Sequence, residues 1–260
     1  MQNGFKRSVE DLALFERYFP SCKAVTFHSE DKWLEARREY LCASDTPCVL
    51  GIGFRSNVDI YMDKTGAPEW VPTRAVESAM LKGKQSEPRV RDQFAIDHGE
   101  YKAVYDGTGI MLVNTSIMDK NGKPFMAATL DGFFVDSDDV PHILEIKRTE
   151  SWRLFGETLP LAYRAQVLKQ MIVTGARYAT LVARIVKTTQ SYGLQTGNLF
   201  ANTGNLFANR SAEEIEYCID AQDERAAYDM KCILAKEREF WNEHVIERKQ
   251  PPLILAEGRL

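Results

Sequence analysis

Residues 127–147 read A-A-T-L-D-G-F-F-V-D-S-D-D-V-P-H-I-L-E-I-K. Two apolar runs flank an acidic segment at 136–139, and this pattern predicts a β-hairpin in the core of a sheet. Because alternate residues of a strand share a face, Glu145 and Lys147 would point the same way. Asp131 would lie on the neighbouring strand, so that two carboxylates and one ammonium group meet at one place.

Charged side chains among isoleucine and leucine are costly to bury unless they are paired or bind a metal. Asp131 and Glu145 would supply carboxylate oxygens, which are the ligands that Mg²⁺ prefers. Lys147 would face the attacking water or the scissile phosphate. The stretch therefore predicts a divalent-metal site that cuts phosphodiesters, although a salt bridge at a strand edge would have the same spacing.

Two resemblances follow from these and other motifs. The spacing of Asp131, Glu145 and Lys147, D-x13-E-x-K, resembles the PD-(D/E)XK nuclease superfamily. The N-terminal region resembles the opening of the YqaJ-type viral recombinases, which are grouped with the lambda-type phage exonucleases. The residues that carry this second resemblance are Trp33, Arg37, Ser44-Asp45, Leu50-Gly51 and Tyr61-x-x-Lys64-Thr65-Gly66.

The second resemblance implies a site for the 5′-terminal phosphate of DNA. Arg37 and Ser44 would bind that phosphate, because a guanidinium fork suits phosphate oxygens and a hydroxyl adds one more bond. The adjacent Arg38 could take the same role instead. Without the family resemblance, Arg37 would be a solvated helix residue and Ser44 a helix N-cap.

The resemblance also implies further residues at the metal site. The segment G-K-Q-S-E-P resembles the G…E-P signature of the family, which makes Glu87 a third carboxylate. In Y-x-x-Q, Gln166 would orient a water or a phosphate without adding charge. The backbone carbonyl of Ile146 would complete the metal ligands. The alternatives are a first-turn glutamate favoured by the helix dipole and a glutamine on a helix surface.

Hydrophobic periodicity and turn residues predict the order of the secondary structure. We expect helices at 8–19, 31–40, 74–98, 160–175 and 213–247, and strands at 101–118 and 178–185. Pro88 cannot sit unstrained inside a helix, so the helix at 74–98 should kink or begin again at a cap on Ser86. The basic residues around Glu87 could line a DNA track: Lys82, Lys84, Arg89 and Arg91.

The chain of 260 residues is predicted to be a single nuclease domain. Its parts would be an N-terminal helical extension (1–30), a catalytic core (31–187), a loop (188–209) and a C-terminal helical segment (210–260). The loop contains the sequence T-G-N-L-F-A-N twice in tandem, which indicates a local duplication. The ending F-W-x-x-V-I-x-x-K-x-P-P also resembles the family, so the resemblance would extend from about residue 30 to about 255.

Composition excludes several other classes of protein. A hydrophobic content of 44% is enough for a core, and there is no signal segment or run of apolar residues that would cross a membrane. The five cysteines form no C-x-x-C pair, which argues against a zinc ribbon or an iron–sulfur cluster and for free thiols in a reducing cytosol. Residues 213–247 carry a net charge of −7 and the remainder +3, so the acidic charge lies away from the predicted catalytic part.

Together these observations predict a mixed α/β fold of the PD-(D/E)XK type, with a central sheet flanked by helices. The resemblance implies a 5′→3′ exonuclease of phage recombination that degrades double-stranded DNA, uses Mg²⁺ or Mn²⁺, and leaves 3′ single strands. It further implies an intracellular protein of phage or prophage, a ring-shaped homotrimer and a single-strand annealing partner. An endonuclease of the same fold and a non-catalytic DNA-binding scaffold are the alternatives.

Overall fold

The computed structural model describes residues 7–66, 71–150, 155, 158–188 and 210–254. The helices in chain order are α1 (Val9–Tyr18), α2 (Glu30–Arg37), α3 (Thr46–Val49), α4 (Asn57–Thr65), α5 (Arg74–Asp97), α6 (Leu161–Thr174) and α7 (Glu224–Phe240). The strands are β1 (Cys22–Thr26), β2 (Leu41–Cys42), β3 (Ala103–Asp106), β4 (Ile110–Asn114), β5 (Met126–Thr129), β6 (Gly132–Val135), β7 (Pro141–Thr149), β8 (Tyr178–Thr188) and β9 (Arg210–Asp220). A 3₁₀ turn (Ala43–Asp45) precedes α3, and a π-helical turn (Trp241–Ile246) follows α7.

The strands form two mixed sheets. The smaller sheet has the order β1–β4–β5–β2, and the larger has the order β3–β6–β7–β8–β9. In the larger sheet β7 and β8 are parallel and are connected through α6, whereas β6 and β9 pair with them in antiparallel fashion. A helix is the usual connection between parallel neighbours. The predicted fold class, a mixed sheet flanked by helices, is confirmed.

The stretch that begins at residue 127 does not form one long strand. β5 belongs to the smaller sheet and β6 to the larger, and the chain passes from one to the other at Asp131. Only β6 and β7 form the predicted hairpin, with Gly132 opposite Leu144. A Cβ on Gly132 would lie 2.6 Å from the carbonyl oxygen of Tyr105, so the close approach of β3 requires glycine here. Asp131 therefore lies at the junction of the two sheets.

Strand alternation decides which residues of β7 enter each layer. Leu144 and Ile146 pack against Val90 and Phe94 of α5, in a small core on one face of the larger sheet. Ile143 points to the opposite face, into the main core that also contains residues of α6. Each such buried side chain stabilises the fold by roughly 1.5–3 kcal/mol. Glu145 shares the face of Ile143 and is thereby directed toward α6.

The long helix α5 differs from its prediction at Pro88. It is continuous over 24 residues and contains Pro88 in its interior. Ser86 does not cap a new helix, because its hydroxyl donates to the carbonyl of Gly83 at 2.8 Å. An interior proline costs about 3 kcal/mol, and the burial of Val90 and Phe94 against the sheet offsets this cost. The expected new start at Ser86 is wrong.

Both ends of the chain contribute strands to the sheets. The described residues 210–254 are not all helical, because β9 covers Arg210–Asp220 before α7 and the turn that follows it. In β9 the residues Ile215, Tyr217 and Ile219 alternate with polar ones, and pairing with β8 selects this period of two. At the N-terminus α1 confirms the predicted helix, but β1 pairs with β4 and is part of the smaller sheet.

Other predictions concern helix ends and the regions without a described structure. Gly66 and Gly175 end α4 and α6 with positive φ angles of 88° and 73°, which favour glycine. The duplicated T-G-N-L-F-A-N segment lies outside the described residues. The assignment of the whole chain to one nuclease domain stays a prediction. Among the helices of the described residues, none combines the length and the apolar character needed to span a bilayer.

Candidate active site

Glu145 is the centre of a group of side chains that we call the carboxylate cluster: Asp131, Glu145, Lys147, Gln166 and Gln170. Glu145 is buried, with 1% of its surface exposed. One of its oxygens accepts hydrogen bonds from Lys147 Nζ at 2.5 Å and from Gln166 Nε2 at 2.6 Å. The other accepts from Gln170 Nε2 at 2.6 Å. The strand places Lys147 on the face of Glu145, and α6 presents both glutamines to that face.

Asp131 is attached to the same cluster through the backbone of β7. Its Oδ2 accepts a hydrogen bond of 2.7 Å from the amide of Ile146, the residue between Glu145 and Lys147. The backbone carbonyl of Asp131 accepts from Arg91 Nη1 at 2.7 Å. The structure thus brings together Asp131, Glu145, Lys147 and Gln166, with Ile146 beside them, as the sequence predicted.

Glu87 lies on α5, one helical turn before Arg91. Burial and the negative charge of Glu145 raise the pKa of Glu87. Burial and the same charge raise the pKa of Asp131 well above its usual value. Burial works to lower the pKa of Lys147, but Glu145 and Asp131 raise it overall. Glu87 thus adds a third carboxyl group beside the carboxylate cluster, where Lys147 is the nearest cation to Glu145 and Arg91 also acts on Glu87. This concentration of acid is the main electrostatic feature of the cluster.

Two positions contribute to the cluster that the sequence had not assigned to it. Gln170 is fully buried, and its Nε2 also donates to the carbonyl of Thr129 at 3.2 Å. Its Oε1 has no hydrogen-bond partner among the described residues. The spacing of one helical turn after Gln166 was the signal that could have identified it.

The second such position is Arg91, which the sequence placed on a DNA track. Its side chain is buried and binds both the carbonyl of Asp131 and the carboxylate of Asp106, the latter at 2.9 Å. It therefore holds the backbone of Asp131 and is not available to DNA, and its predicted place on the track is wrong. Nearby, Lys82 pairs with Glu150 and Lys84 pairs with Glu30, each between exposed side chains.

Arg37 and Ser44 form the second group, which we call the arginine cluster and which also includes Asp45 and Lys64. Arg37 Nη2 lies 2.6 Å from Ser44 Oγ, and the guanidinium stacks over the ring of Trp33 at 4.6 Å. Ser44 is exposed, and the Arg37 side chain retains 24% exposure. The structure places Arg37 against Ser44.

Arg38, the alternative at this site, lies 3.7 Å from the carboxylate of Asp63. Asp45 and Lys64 lie beneath the exposed pair, with Lys64 Nζ 2.8 Å from Asp45 Oδ2. Asp45 Oδ2 also accepts from the amide of Cys42 at 2.9 Å, which fixes the turn that carries Ser44. The motifs quoted from the sequence include Asp45 and Lys64, but the sequence alone did not indicate that these two residues form an ion pair.

A buried ion pair connects the two clusters. Lys169 of α6, next to Gln170, donates to Glu237 of α7, and both side chains are fully buried. The other oxygen of Glu237 accepts from the hydroxyl of Thr46 at 2.5 Å, directly after Asp45. Removing one member of such a pair leaves an uncompensated charge and costs about 3–5 kcal/mol. The ion pair therefore fixes α6 and the turn of the arginine cluster relative to each other.

The carboxylate cluster has the donor chemistry of a site for a hard divalent cation. Carboxylate and carbonyl oxygens are the ligands of Mg²⁺, and a cation would offset the excess negative charge that raises the pKa of Asp131. Within the described part of the chain, however, no group of three or more His, Cys, Asp or Glu side chains is arranged to hold a metal. In this structure the oxygens of Glu145 accept from Lys147 and two glutamines. These donors would have to turn aside from Glu145.

Comparison with sequence models of known families shows to which family the chain belongs. Residues 32–177 match the sequence model of the YqaJ-like viral recombinase domain. The chain belongs to this family. The matched range contains both clusters but not α7, so the resemblance predicted for the C-terminal part extends beyond the match. A comparison with curated protein sequences found no match.

Solved structures with a similar course of the chain include two of an alkaline exonuclease, LHK-Exo, from Laribacter hongkongensis. The first is 19% identical, with a TM-score of 0.47, and the match covers 84% of this chain and 97% of that chain. The second, in complex with dAMP, is 18% identical, with a TM-score of 0.48 and the same coverage. A phage-related exonuclease from Haemophilus somnus 129PT is 10% identical, with a TM-score of 0.46, and the match covers 83% and 99% of the two chains.

Proposed function

We propose that the chain is a metal-dependent exonuclease that degrades linear double-stranded DNA in the 5′→3′ direction and leaves 3′ single strands. The observation that carries this proposal is the convergence of Asp131, Glu145 and Lys147 at the junction of two sheets, in a member of the YqaJ-like family. The separate arginine cluster supplies the proposed preference for a 5′ end.

The residues that would hold Mg²⁺ or Mn²⁺ are Asp131, Glu145 and the carbonyl of Ile146, with Glu87 bound directly or through water. A bound Mg²⁺ supplies Lewis acidity, which lowers the pKa of a water and neutralises charge on the phosphate. Lys147, with three donor hydrogens, would orient that water or a phosphate oxygen. Gln166 would orient the water or a phosphate oxygen without adding charge.

At the other end of the substrate, Arg37 and Ser44 would bind the 5′-terminal phosphate. Hydrogen bonds between a guanidinium and phosphate oxygens are charge-assisted and are stronger than neutral ones. The exposed Ser44 hydroxyl and the partly exposed guanidinium can both be reached from solvent. Binding of the terminal phosphate would set the polarity of degradation.

Digestion of labelled substrates tests this proposal. Linear duplexes with a 5′-phosphate or a 5′-hydroxyl, and a covalently closed circle, are incubated with the protein and Mg²⁺. We expect degradation of the linear duplexes from their 5′ ends, faster with the phosphate, and an intact circle. Cutting of the circle would make the protein an endonuclease of the same fold. Equal degradation by the parent and Lys147→Ala would remove the catalytic assignment of Lys147. A parent that binds DNA with Mg²⁺ but degrades none of the substrates would instead be a non-catalytic scaffold.

The further partners and the location of the protein are also proposals. A homotrimeric ring around the duplex and a single-strand annealing protein that receives the 3′ strand fit a recombination exonuclease inside a cell that carries a phage or prophage. Light scattering of the purified chain measures the first. A mass of one or two protomers at micromolar concentration would contradict the ring.

A further inference from the structure

We propose that Lys64 is a positioning residue that neutralises Asp45 and thereby keeps the Arg37 guanidinium available for the terminal phosphate. This inference rests on the proposed function, because it explains how the arginine cluster would discriminate a phosphorylated end. Lys64 would not touch the substrate and would act through Arg37.

The ammonium group of Lys64 is buried and is surrounded by oxygen atoms. Its side chain is 1% exposed, and its Nζ lies 2.8 Å from Asp45 Oδ2 and 3.3 Å from Asp63 Oδ2. The same ammonium donates to the backbone carbonyl of Arg37 at 2.9 Å. An ammonium has three donor hydrogens, and these three oxygens account for them. Lys64 is thus fully engaged below the surface on which Arg37 and Ser44 lie.

Arg37 and Lys64 compete for the same carboxylate. The guanidinium of Arg37 lies 4.0 Å from Asp45 Oδ1, against 2.8 Å for the contact of Lys64 with Oδ2. Instead of binding Asp45, Arg37 Nη2 is 2.6 Å from the Ser44 hydroxyl. A buried carboxylate without a cation is strongly unfavourable. If Lys64 were lost, Asp45 would draw the guanidinium inward, away from Ser44.

The charges of the group lead to the same conclusion. Three cations, Arg37, Arg38 and Lys64, lie around two carboxylates, Asp45 and Asp63. One positive charge is therefore left over, and the side chain that carries it toward solvent is Arg37. Burial works to raise the pKa of Asp45, but Lys64 and Arg37 lower it overall, in agreement with an ionised carboxylate.

A purely structural role is the alternative for Lys64. It lies in the last turn of α4, where a cation is favourable to the helix dipole. In that case its loss would lower stability and all activity together. The preference for a 5′-phosphate would then stay unchanged, and removal of Asp45 would not restore anything.

The test compares initial rates on duplexes with a 5′-phosphate and a 5′-hydroxyl for four proteins: the parent, Lys64→Met, Asp45→Asn, and the double variant. In Lys64→Met we expect the ratio of the two rates to fall about 10-fold, the size of one lost charge-assisted hydrogen bond. The double variant should recover most of the ratio, because Asp45→Asn removes the competing carboxylate. Asp45→Asn alone should retain it. Lys123→Met, in an exposed turn, is the matched lysine control.

A parent ratio that persists in folded Lys64→Met overturns the inference, and so does a folded double variant that recovers nothing. If circular dichroism shows that Lys64→Met is unfolded, the rate ratio of Asp45→Asn is used instead. A ratio below that of the parent in this variant overturns the inference. Failure of the proposed function has a different signature. A parent that degrades no DNA with Mg²⁺ refutes the nuclease, whereas a parent that degrades both duplexes at one rate refutes the phosphate site and the role of Lys64 only.

Discussion

The carboxylate cluster and the arginine cluster differ in how their charges balance. In the first, Asp131, Glu145 and Glu87 lie near Lys147, while Arg91 is paired with Asp106, and the pKa values of Asp131 and Glu87 are raised. In the second, cations outnumber acids, and the pKa of Asp45 is lowered. A site with surplus carboxylates is suited to bind a cation, and a site with a surplus guanidinium is suited to bind an anion. Under the proposed function, the first cluster would bind a metal ion at the scissile bond and the second would bind the anionic 5′ terminus.

The largest effect is expected at Lys147 of the carboxylate cluster. Lys147→Met should lower the rate of hydrolysis by about 10²–10⁴-fold, because it removes the group that we propose orients the nucleophile or the phosphate. Affinity for a 5′-phosphorylated end, measured by fluorescence anisotropy, should change little, since the arginine cluster is intact. Lys123→Met should retain the parent rate. A loss of end binding equal to the loss of rate would show that the two clusters do not act separately.

A smaller loss is expected when Glu145 loses one of its donors. Gln170→Leu keeps the size of the side chain but removes its bonds to Glu145 and Thr129. Groups that orient a metal ligand typically contribute about 10–100-fold to affinity or activity. We therefore expect a loss of that size, with a higher Mg²⁺ concentration at half-maximal rate. A variant with parent rate and parent Mg²⁺ dependence would exclude Gln170 from the site.

In the arginine cluster the effect should be confined to the terminal phosphate. Arg37→Met removes a charged donor, and hydrogen bonds to charged groups contribute about 1.5–3 kcal/mol. The preference for a 5′-phosphate over a 5′-hydroxyl should fall at least about 10-fold, with the rate on the hydroxyl end almost unchanged. Arg38→Met is the matched control and should retain the preference. The reverse result would assign the phosphate to Arg38.

The smallest effect concerns stability and its dependence on pH. Since the folded-state pKa of Asp45 is lowered, its contribution is present above its unfolded pKa of about 4 and is lost as the pH falls through the folded value. At pH 7 the parent should therefore have a higher free energy of unfolding than Asp45→Asn. Urea unfolding of both proteins at pH 7 and pH 3 should show this difference shrinking with acid. A constant difference would mean that the charge of Asp45 is not compensated by Lys64.

Local patterns predicted those parts of the molecule that depend on local geometry. Alternation along one strand placed Glu145 and Lys147 on one face, and glycines marked the ends of α4 and α6. The family resemblance selected Arg37 and Ser44, and the structure places these two side chains together. Their roles stay predictions.

Contacts between segments that are distant in the chain could not be predicted from local sequence patterns. The change of sheet at Asp131 depends on β5 pairing with β2 and on β6 pairing with β3. The sequence pattern of residues 210–220 fits a helix or a strand. Pairing with the edge of β8 makes this segment the strand β9. Pro88 was misjudged because the packing of α5 outweighs a local penalty. The pairing of Lys169 with Glu237 joins residues 68 positions apart.

The dependence of hydrolysis on an added cation tests the central claim most directly. An end-labelled linear duplex is incubated with the parent protein in Mg²⁺, in excess EDTA, and in EDTA followed by an excess of Mg²⁺. We predict release of nucleotides in Mg²⁺, none in EDTA, and recovery after Mg²⁺ is added back, because we propose that the carboxylates around Glu145 need a bound cation before DNA can be cut. Degradation in EDTA at the rate seen with Mg²⁺ would contradict this account.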